Sequence, residues 1–369
     1  MSSNDESWDI FLPKEEEKIK LDIKDIKILD KLINNSRTML PELCRISRLS
    51  KPSIINRIQN LESANIITGY TTYIDFLKLG IKIYDLLIKT GLPLIKKQDY
   101  INYLKKNPSL IQIITLSHKD YDVMIRVFDL EDNIDEIILY VTSYSVQDLN
   151  ISFVKKNIYQ GLDLFNIEQS SMPLRKDASF NRFFSLPEKV YEHISSEDVE
   201  LLYLLSQNSR RKINELAERT GLSPDTVKNK IKSLIAGKVI ITFFAKYDVY
   251  RLGFHSFVLR LKIFNRAKEK EIFEFLKNHG RCHGIIRYEE SWDALAYLSF
   301  KDRGELGKFE NKLLELYGEH IKDYEFILVQ EQVYYNTFPK KLKEDLLLKL
   351  GSLNSKINKN KVLSNIVKG

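Results

Sequence analysis

The sequence predicts an α+β fold in which a small helical domain and a ferredoxin-like α/β domain each occur twice. Three observations support this prediction. The chain repeats itself at a separation of 173 positions, each copy opens with three short helical patterns, and each copy continues with alternating strand and helix patterns. An internal repeat of this length indicates two similar folded units in one chain.

The repeat aligns residues 21–80 with residues 194–253 without a gap. Identities are spread along the alignment, for example Asn35-Ser36-Arg37 with Asn208-Ser209-Arg210. We therefore interpret the chain as a tandem duplication of a unit of roughly 150 residues, which is the size of an ordinary domain or a domain pair.

Each copy begins with three short amphipathic helices followed by a strand. In the first copy, apolar residues recur at helical spacing in three runs, around Leu29, Leu43 and Ile58. A turn and a β-strand come next in both copies. Three helices followed by a strand pair predict winged helix-turn-helix domains at 21–80 and 194–253.

The second part of each copy reads as strand, helix, two strands, helix and strand. That order is the ferredoxin-like βαββαβ arrangement, which we predict for residues 81–165 and 254–338. We interpret residues 1–20 as a disordered segment and residues 166–193, with Pro173 and Pro187, as a linker.

Residues 339–369 form a basic tail. Eight Lys stand there against Glu344 and Asp345, so most of the net charge of +7 of the whole chain lies in this segment. The tail could be helical up to Leu350, with Leu342 and Leu346 on the same stripe. We interpret it as a flexible, solubilising end, and a phosphate-contacting arm is the alternative.

Composition excludes several classes of protein. Two cysteines, Cys44 and Cys282, are too few for a disulfide framework or a cysteine-based metal site. No apolar run approaches the roughly eighteen residues that span a bilayer, and the N-terminus lacks the layout of a signal peptide. We expect a cytoplasmic protein without a membrane partner.

The helix-turn-helix patterns carry the functional prediction. Such a motif places its second helix in the major groove, where outward residues reach base edges. In the first copy Ile54, Ile58 and Leu61 share one face, so the polar residues between them point away from the core. The predicted DNA-binding residues are Lys51, Ser53, Asn56, Arg57, Gln59 and Asn60, with Thr226, Lys228, Asn229, Lys230, Lys232 and Ser233 in the second copy.

Two details refine this prediction. Asn56 and Asn229 occupy the same position of the repeat and could each pair with adenine through two hydrogen bonds, while Lys51 and Lys228 are expected nearer to phosphates. Local charge agrees: residues 33–65 hold five basic and two acidic residues, and 206–238 hold eight and three. We therefore expect double-stranded DNA as the partner.

The stretch LDIKDIKILDKLINNSRTMLPELCRISRLSKPSIINRIQNLESANIITGY, followed by a ferredoxin-like pattern, resembles the Lrp/AsnC family of feast/famine transcriptional regulators. The resemblance covers nearly the whole chain in two copies. It implies a DNA-binding transcription factor whose ferredoxin-like halves, the RAM domains, pair through their sheets and often bind an amino acid. Family members usually carry one unit and dimerise, so two fused units imply a pseudo-dimer in one chain, with homo-oligomers of the whole chain as a further option.

The sequence departs from the family in two places. The family's Gly-Leu-Ser before the recognition helix is kept at 221–223, but Arg48 replaces the Gly in the first copy, which predicts weaker DNA binding there. The family's Gly-acid-aromatic-Asp pattern becomes Lys119-Asp120-Tyr121-Asp122 and Glu290-Ser291-Trp292-Asp293. A charged residue replaces the Gly both times, which argues against an amino-acid effector.

An enzyme is the alternative. Siroheme decarboxylases have a similar two-unit plan and would need histidines near a porphyrin together with basic side chains. The candidates here are His118, His279, His283, Arg281 and Arg287. The basic helical faces argue against this alternative, and no nucleophile and base set, phosphate loop or metal-ligand cluster is evident in the sequence. We therefore expect no catalysis, no cofactor and no metal site.

Overall fold

The structure is a computed structural model, and it describes residues 21–144, 146–160, 194–289 and 292–352. The predicted disordered segment at 1–20, the predicted linker at 166–193 and the end of the basic tail from residue 353 onward lie outside the described residues. The predicted mixture of helices and strands is confirmed. None of the described helices is long and apolar enough to cross a bilayer.

The described helices and strands alternate along the chain in two similar series. The first series is α1 (Ile23–Asn34), α2 (Leu40–Ser47), α3 (Lys51–Ser63), β1 (Ile67–Ile74), β2 (Lys82–Lys89), α4 (Leu94–Leu104), β3 (Leu110–Ser117), β4 (Val123–Asp129), α5 (Ile134–Thr142) and β5 (Asp148–Gln160). The second series is α6 (Ser196–Gln207), α7 (Ile213–Thr220), α8 (Pro224–Ala236), β6 (Ile240–Tyr247), β7 (His255–Ile263), α9 (Glu269–Asn278), β8 (Cys282–Tyr288), β9 (Ala294–Phe300), α10 (Arg303–Tyr317) and β10 (Ile321–Tyr335).

The first helix of each series is started by a reciprocal cap. The side chain of Asp22 accepts from the amide of Asp25, whose own side chain accepts from the amide of Asp22. Ser195 and Asp198 make the same pair of bonds before α6. Because free amides at a helix start need acceptors, these caps fix where both helical units begin.

The two helical units join through β1 and β6, which pair antiparallel with Thr71 opposite Phe244. These two residues are 173 positions apart, so the strands meet at equivalent positions of the repeat. Nearby, the hydroxyls of Ser36 and Ser209, again 173 positions apart, are hydrogen-bonded at 2.6 Å. Helix α1 packs on β6 and α6 packs on β1, so each unit supports the other's strand.

The remaining eight strands form a closed barrel in the order β10, β3, β4, β2, β5, β8, β9, β7. Within each half the order matches a ferredoxin-like sheet, and the halves join where β5 pairs with β8 and β10 pairs with β3. Leu86 and Leu259 face the helices outside, whereas Leu87, Val258 and Ile327 face the interior. Helices α4 and α5 cover one half, and α9 and α10 cover the other.

Residues 340–352 form a packed helix rather than a flexible end, which corrects our interpretation of the start of the tail. Leu342 and Leu346 are buried in the same core cluster as β1 and α6 residues, together with Phe338. Lys343 pairs with Glu200 of α6 at 2.6 Å. The apolar stripe that the sequence showed is therefore a buried face, and it ties the barrel to the second helical unit.

Candidate nucleic-acid interface

Helices α3 and α8 are the recognition-helix candidates, and their sides differ in exposure. Ile54, Ile58 and Leu61 are buried on the inner face of α3, and α8 buries equivalent residues. Asn56 and Asn229 are exposed on the outer faces. Exposed polar side chains on the second helix of the motif are available to base edges.

The structure leaves nine of the twelve predicted residues exposed. They are Lys51, Asn56, Gln59, Asn60, Thr226, Lys228, Asn229, Lys232 and Ser233. Ser53, Arg57 and Lys230 are partly buried. Lys228 pairs with the exposed Asp225 at 2.9 Å, a contact that water and salt weaken.

Arg57 is not a free outward side chain, which corrects the sequence-based placement. Its guanidinium donates to Asp22 at 2.8 Å and to Asp25 at 2.6 Å. The amide of Asp25 and the Arg57 guanidinium together hold the pKa of Asp22 below its usual value. Arg57 therefore braces α3 against the start of α1.

Lys230, at the equivalent position of α8, needs the same correction. Its ammonium donates to the hydroxyl of Ser195 at 2.9 Å and to the carboxylate of Asp198 at 3.1 Å. These contacts brace α8 against the start of α6. Neither contact could be predicted from the spacing of residues along α3 or α8, because the partners lie 32 to 35 residues away along the chain.

The turn before each recognition helix has the same geometry. Arg48 ends α2 in the left-handed region with φ of 55°, and Gly221 ends α7 with φ of 69°. Arg48 thus keeps the turn in a conformation that a side chain disfavours. The hydroxyl of Ser223 caps α8 by accepting from the amide of Thr226 at 3.1 Å, whereas Ser50 makes no such bond at α3.

A cleft of about 390 Å³ opens where the two units meet. It is lined by Ser36, Arg37, Thr38, Met39, Leu40, Pro41, Lys51 and Arg210. Sequence reasoning missed Arg37 and Arg210 as candidate ligands of an anion. The available signal was their identity at equivalent positions of the repeat, next to the Ser36 and Ser209 pair.

The barrel interior contains charged groups that the sequence did not indicate. Arg126 forms a two-pronged ion pair with Asp85, with both distances 2.7 Å, and Tyr288 donates to the same carboxylate. Although burial opposes the charged form, the Asp85 carboxylate raises the pKa of Arg126 well above its usual value. Two parallel, charge-assisted hydrogen bonds therefore hold Arg126 and Asp85 together inside the barrel.

At one end of the barrel the two effector-type motifs meet around one buried arginine. The guanidinium of Arg260 lies 4.3 Å from the ring centre of Trp292 and 5.3 Å from that of Tyr121. It donates to Glu325 at 3.2 Å and to Asn150 at 3.0 Å. The chain therefore places its own cation against both aromatic side chains of these motifs.

His118 lies beside this cluster, with its Nε2 atom 2.9 Å from a carboxylate oxygen of Glu325. His118, Asp120 and Glu325 offer ligand atoms within 4.8 Å of one another. The sequence analysis found no metal-ligand cluster because Glu325 is distant along the chain. Since Glu325 also pairs with Arg260, its charge is already compensated.

The other histidines proposed for an enzyme lie elsewhere. The ring of His279 packs edge-on against Phe309 with ring centres 4.6 Å apart, and burial lowers its pKa. His283 is hydrogen-bonded to Tyr247 at 2.9 Å, and burial lowers its pKa to about 3. The two arginines, Arg281 and Arg287, are paired with Glu305 and Glu269.

Comparison with known proteins identifies the type of the second helical unit. The family model of the AsnC-type helix-turn-helix domain matches residues 197–235. The transcriptional regulator Ptr1 of Methanocaldococcus jannaschii is 28% identical over 112 residues, which are 30% of this chain and 76% of Ptr1. The regulator LrpC of Bacillus subtilis is 38% identical over 82 residues, which are 22% of this chain and 54% of LrpC. The resemblance to the Lrp/AsnC regulators is thereby confirmed for the helix-turn-helix at 197–235.

A solved structure is similar over nearly the whole chain. The siroheme decarboxylase NirDL aligns with 90% of this chain and 99% of its own, with a TM-score of 0.58 and 12% identity. The same enzyme in complex with an iron-uroporphyrin III analogue aligns with a TM-score of 0.56 and 13% identity. At this identity the similarity concerns the fold.

This similarity overturns our expectation that the chain catalyses no reaction. The expectation relied on the basic helical faces and on the lack of an evident catalytic set in the sequence. An enzyme with the same fold over 90% of the chain shows that the architecture does not separate regulators from enzymes.

Proposed function

Starting from a chain that carries the AsnC-type helix-turn-helix of the Lrp/AsnC regulators, we propose that it binds double-stranded DNA sequence-specifically as a single-chain pseudo-dimer. The observation that carries this proposal is the meeting of equivalent residues at the junction of the helical units. Thr71 pairs with Phe244, and Ser36 bonds to Ser209. A two-fold related pair of helix-turn-helix units binds two half-sites of one operator.

The recognition helices support the base-reading part of the proposal. Asn56 on α3 and Asn229 on α8 are exposed and stand at equivalent positions. An asparagine in the major groove reads adenine through two hydrogen bonds. Exposed Lys51, Lys228 and Lys232 add positive charge beside them, as contact with phosphates requires.

The braces to α1 and α6 support the same proposal. Arg57 and Lys230 fix the angle of each recognition helix within its unit, and β1 and β6 fix one unit relative to the other. The second unit has Gly221 at its turn and more positive charge, so we propose that the operator is an imperfect palindrome with unlike half-sites.

A selection of randomised duplexes followed by mobility-shift assays tests this proposal. We expect one chain to bind one operator with two half-sites, and the double variant Asn56→Ala, Asn229→Ala to lose specific retardation. Lys312→Gln, which removes an exposed charge on α10, is the matched control and should bind normally. Absence of retardation at micromolar protein would overturn DNA binding, and a stoichiometry of two chains per operator would overturn the pseudo-dimer.

A second candidate function is modification of a tetrapyrrole in the manner of NirDL. The similarity over 90% of the chain favours it, as does the cluster of His118, Glu325 and Arg260 at the barrel end. Histidine and carboxylate side chains in contact can move protons, and the buried Arg260 holds the Glu325 carboxylate in place beside His118. Titration with siroheme followed by absorption spectroscopy and product analysis tests this candidate; an unchanged spectrum at equimolar protein would exclude it.

A further inference from the structure

The cleft between the helical units combines three cations with no carboxylate among its described lining residues. Arg37 and Arg210 are the same residue of the repeat and flank the bond between Ser36 and Ser209. Lys51, the first residue of α3, lies in the same lining. Positive charge is therefore concentrated beside the junction where equivalent residues meet.

Arg37 is held in place without a counter-ion among the described residues. Its Nη1 atom donates to the carbonyl oxygens of Ser209 and Arg211 at 2.6 and 3.1 Å, and the ring of Phe243 lies 5.4 Å from its Cζ atom. Partial burial lowers its pKa because the charged form loses water. A guanidinium oriented by carbonyl oxygens keeps its positive charge available to an anion.

Arg210 is oriented by an aromatic ring. Its guanidinium lies 4.9 Å from the ring centre of Tyr70, and its Nη1 atom donates to the Tyr70 hydroxyl at 3.3 Å. That hydroxyl donates in turn to Glu62 at 2.5 Å. The Glu62 carboxylate thus acts on Arg210 through Tyr70, and within the described part of the chain the ring rather than an ion pair directs this arginine.

We propose that this cleft binds DNA backbone phosphates between the two half-sites, an inference that rests on the proposed DNA-binding function. Guanidinium groups bind phosphate oxygens through paired, charge-assisted hydrogen bonds. Because Lys51 begins α3, a duplex that occupies the outer face of α3 reaches the cleft at its edge. Arg37 and Arg210, on either side of the junction, then contact the central segment of the operator.

A free phosphate or nucleotide has the same chemistry as the DNA backbone, and the position of the cleft favours DNA. A site for a small anion would need only a few cations around that anion and no link to a recognition helix. This cleft instead joins the start of a recognition helix to the junction of both units. A contact there adds affinity that does not depend on base sequence, because phosphates carry no sequence information.

The test uses the full chain and the variants Arg210→Gln, Lys51→Gln and their combination. Fluorescence anisotropy across a salt series should show the combined variant binding all duplexes more weakly, with the slope of log K against log salt smaller by about 2. Lys312→Gln should leave the slope unchanged. Arg210→Lys, which keeps a positive charge at this position, should keep most of the wild-type slope. Thermal melts check that each variant is folded; Lys51, being exposed, gives a variant whose folding is not at risk.

A second measurement locates the contact. Ethylation of the central phosphates of the operator should weaken binding of the wild-type chain and have less effect on the combined variant. Equal salt slopes and equal ethylation interference for the wild-type chain and the combined variant would overturn the proposed contact of the cleft with DNA while leaving DNA binding itself intact. Saturable binding of inorganic phosphate to the free wild-type chain, lost in the combined variant, with equal DNA slopes would assign the cleft to a free anion. A wild-type chain that retards no DNA would overturn both proposals.

Discussion

The two helix-turn-helix units build the same turn before their recognition helix from different residues. The second unit uses Gly221, which accepts a left-handed conformation without steric cost, and caps α8 with the hydroxyl of Ser223. The first unit uses Arg48 in the same conformation and leaves the Ser50 side chain without a capping bond. The first turn therefore adopts its left-handed conformation despite the side chain of Arg48.

The braces behind the recognition helices differ in the same way. Arg57 contacts two aspartates, whereas Lys230 contacts one serine and one aspartate. The donor and one acceptor have both changed, yet each brace still ties the recognition helix to the start of the first helix. The two units therefore hold the recognition helix against the same neighbouring helix while the contacting residues differ.

The largest expected difference between the units concerns base reading. We expect Asn229→Ala to weaken operator binding by about 10- to 100-fold, which is the loss of one two-bond contact with a base, and Asn56→Ala to weaken it less. Anisotropy with the selected operator and a scrambled duplex measures both, with Lys312→Gln as control. Equal losses would show that the two units contribute alike, and a larger loss for Asn56→Ala would reverse the ranking.

The elements themselves were predictable from local pattern. Apolar spacing located the three helices of each unit, and the stripe of Leu342 and Leu346 located the helix at 340–352. The packing of that helix was not predictable, because its partner surface on α6 comes from a distant part of the chain. The many lysines of the tail led us to predict a flexible, solvated end, although its apolar stripe is buried.

The site was less predictable than the fold for the same reason. Helical periodicity correctly placed Asn56 and Asn229 on exposed faces. It could not show that Arg57 is bound to Asp25, or that Arg37 and Arg210 share a cleft, since these contacts depend on how distant segments meet. Spacing along one helix describes that helix alone.

The second prediction concerns the braces and the free energy of unfolding. Lys230→Ala should lower it by about 2 kcal/mol and Arg57→Ala by about 1 kcal/mol. The difference arises because Asp198, which loses its ammonium partner in the first case, is only 8% exposed, whereas the partners of Arg57, Asp22 and Asp25, are 48% and 18% exposed. Urea denaturation measures both, and Lys228→Ala, whose partner Asp225 is exposed, should cost less than about 0.5 kcal/mol. Equal losses for the two braces would contradict the burial argument.

The third prediction concerns the caps. Ser223→Ala should lower the free energy of unfolding by about 1 kcal/mol, because the amide of Thr226 loses its acceptor. Ser50→Ala should cost less than about 0.3 kcal/mol, since the Ser50 side chain makes no capping bond. The two variants are matched controls for each other in urea denaturation. A loss at Ser50 as large as that at Ser223 would show that α3 is capped in solution after all.

The fourth prediction concerns the turn itself, where the expected effect has the opposite sign in the two units. Arg48→Gly should raise the free energy of unfolding by about 0.5–1 kcal/mol, because relief of the left-handed strain outweighs the extra freedom that glycine gains in the unfolded chain. Gly221→Ala should lower it by about 1 kcal/mol. No described atom lies within 4 Å of the Cβ atom that this change would add, so the loss arises from the backbone conformation alone.

Arg48→Ala removes the charge but keeps the strain, so it should leave stability near the wild-type value. Urea denaturation of the three variants separates the contributions: stabilisation by Arg48→Ala equal to that by Arg48→Gly would assign the effect to the arginine side chain, and destabilisation by Arg48→Gly would contradict strain at this turn.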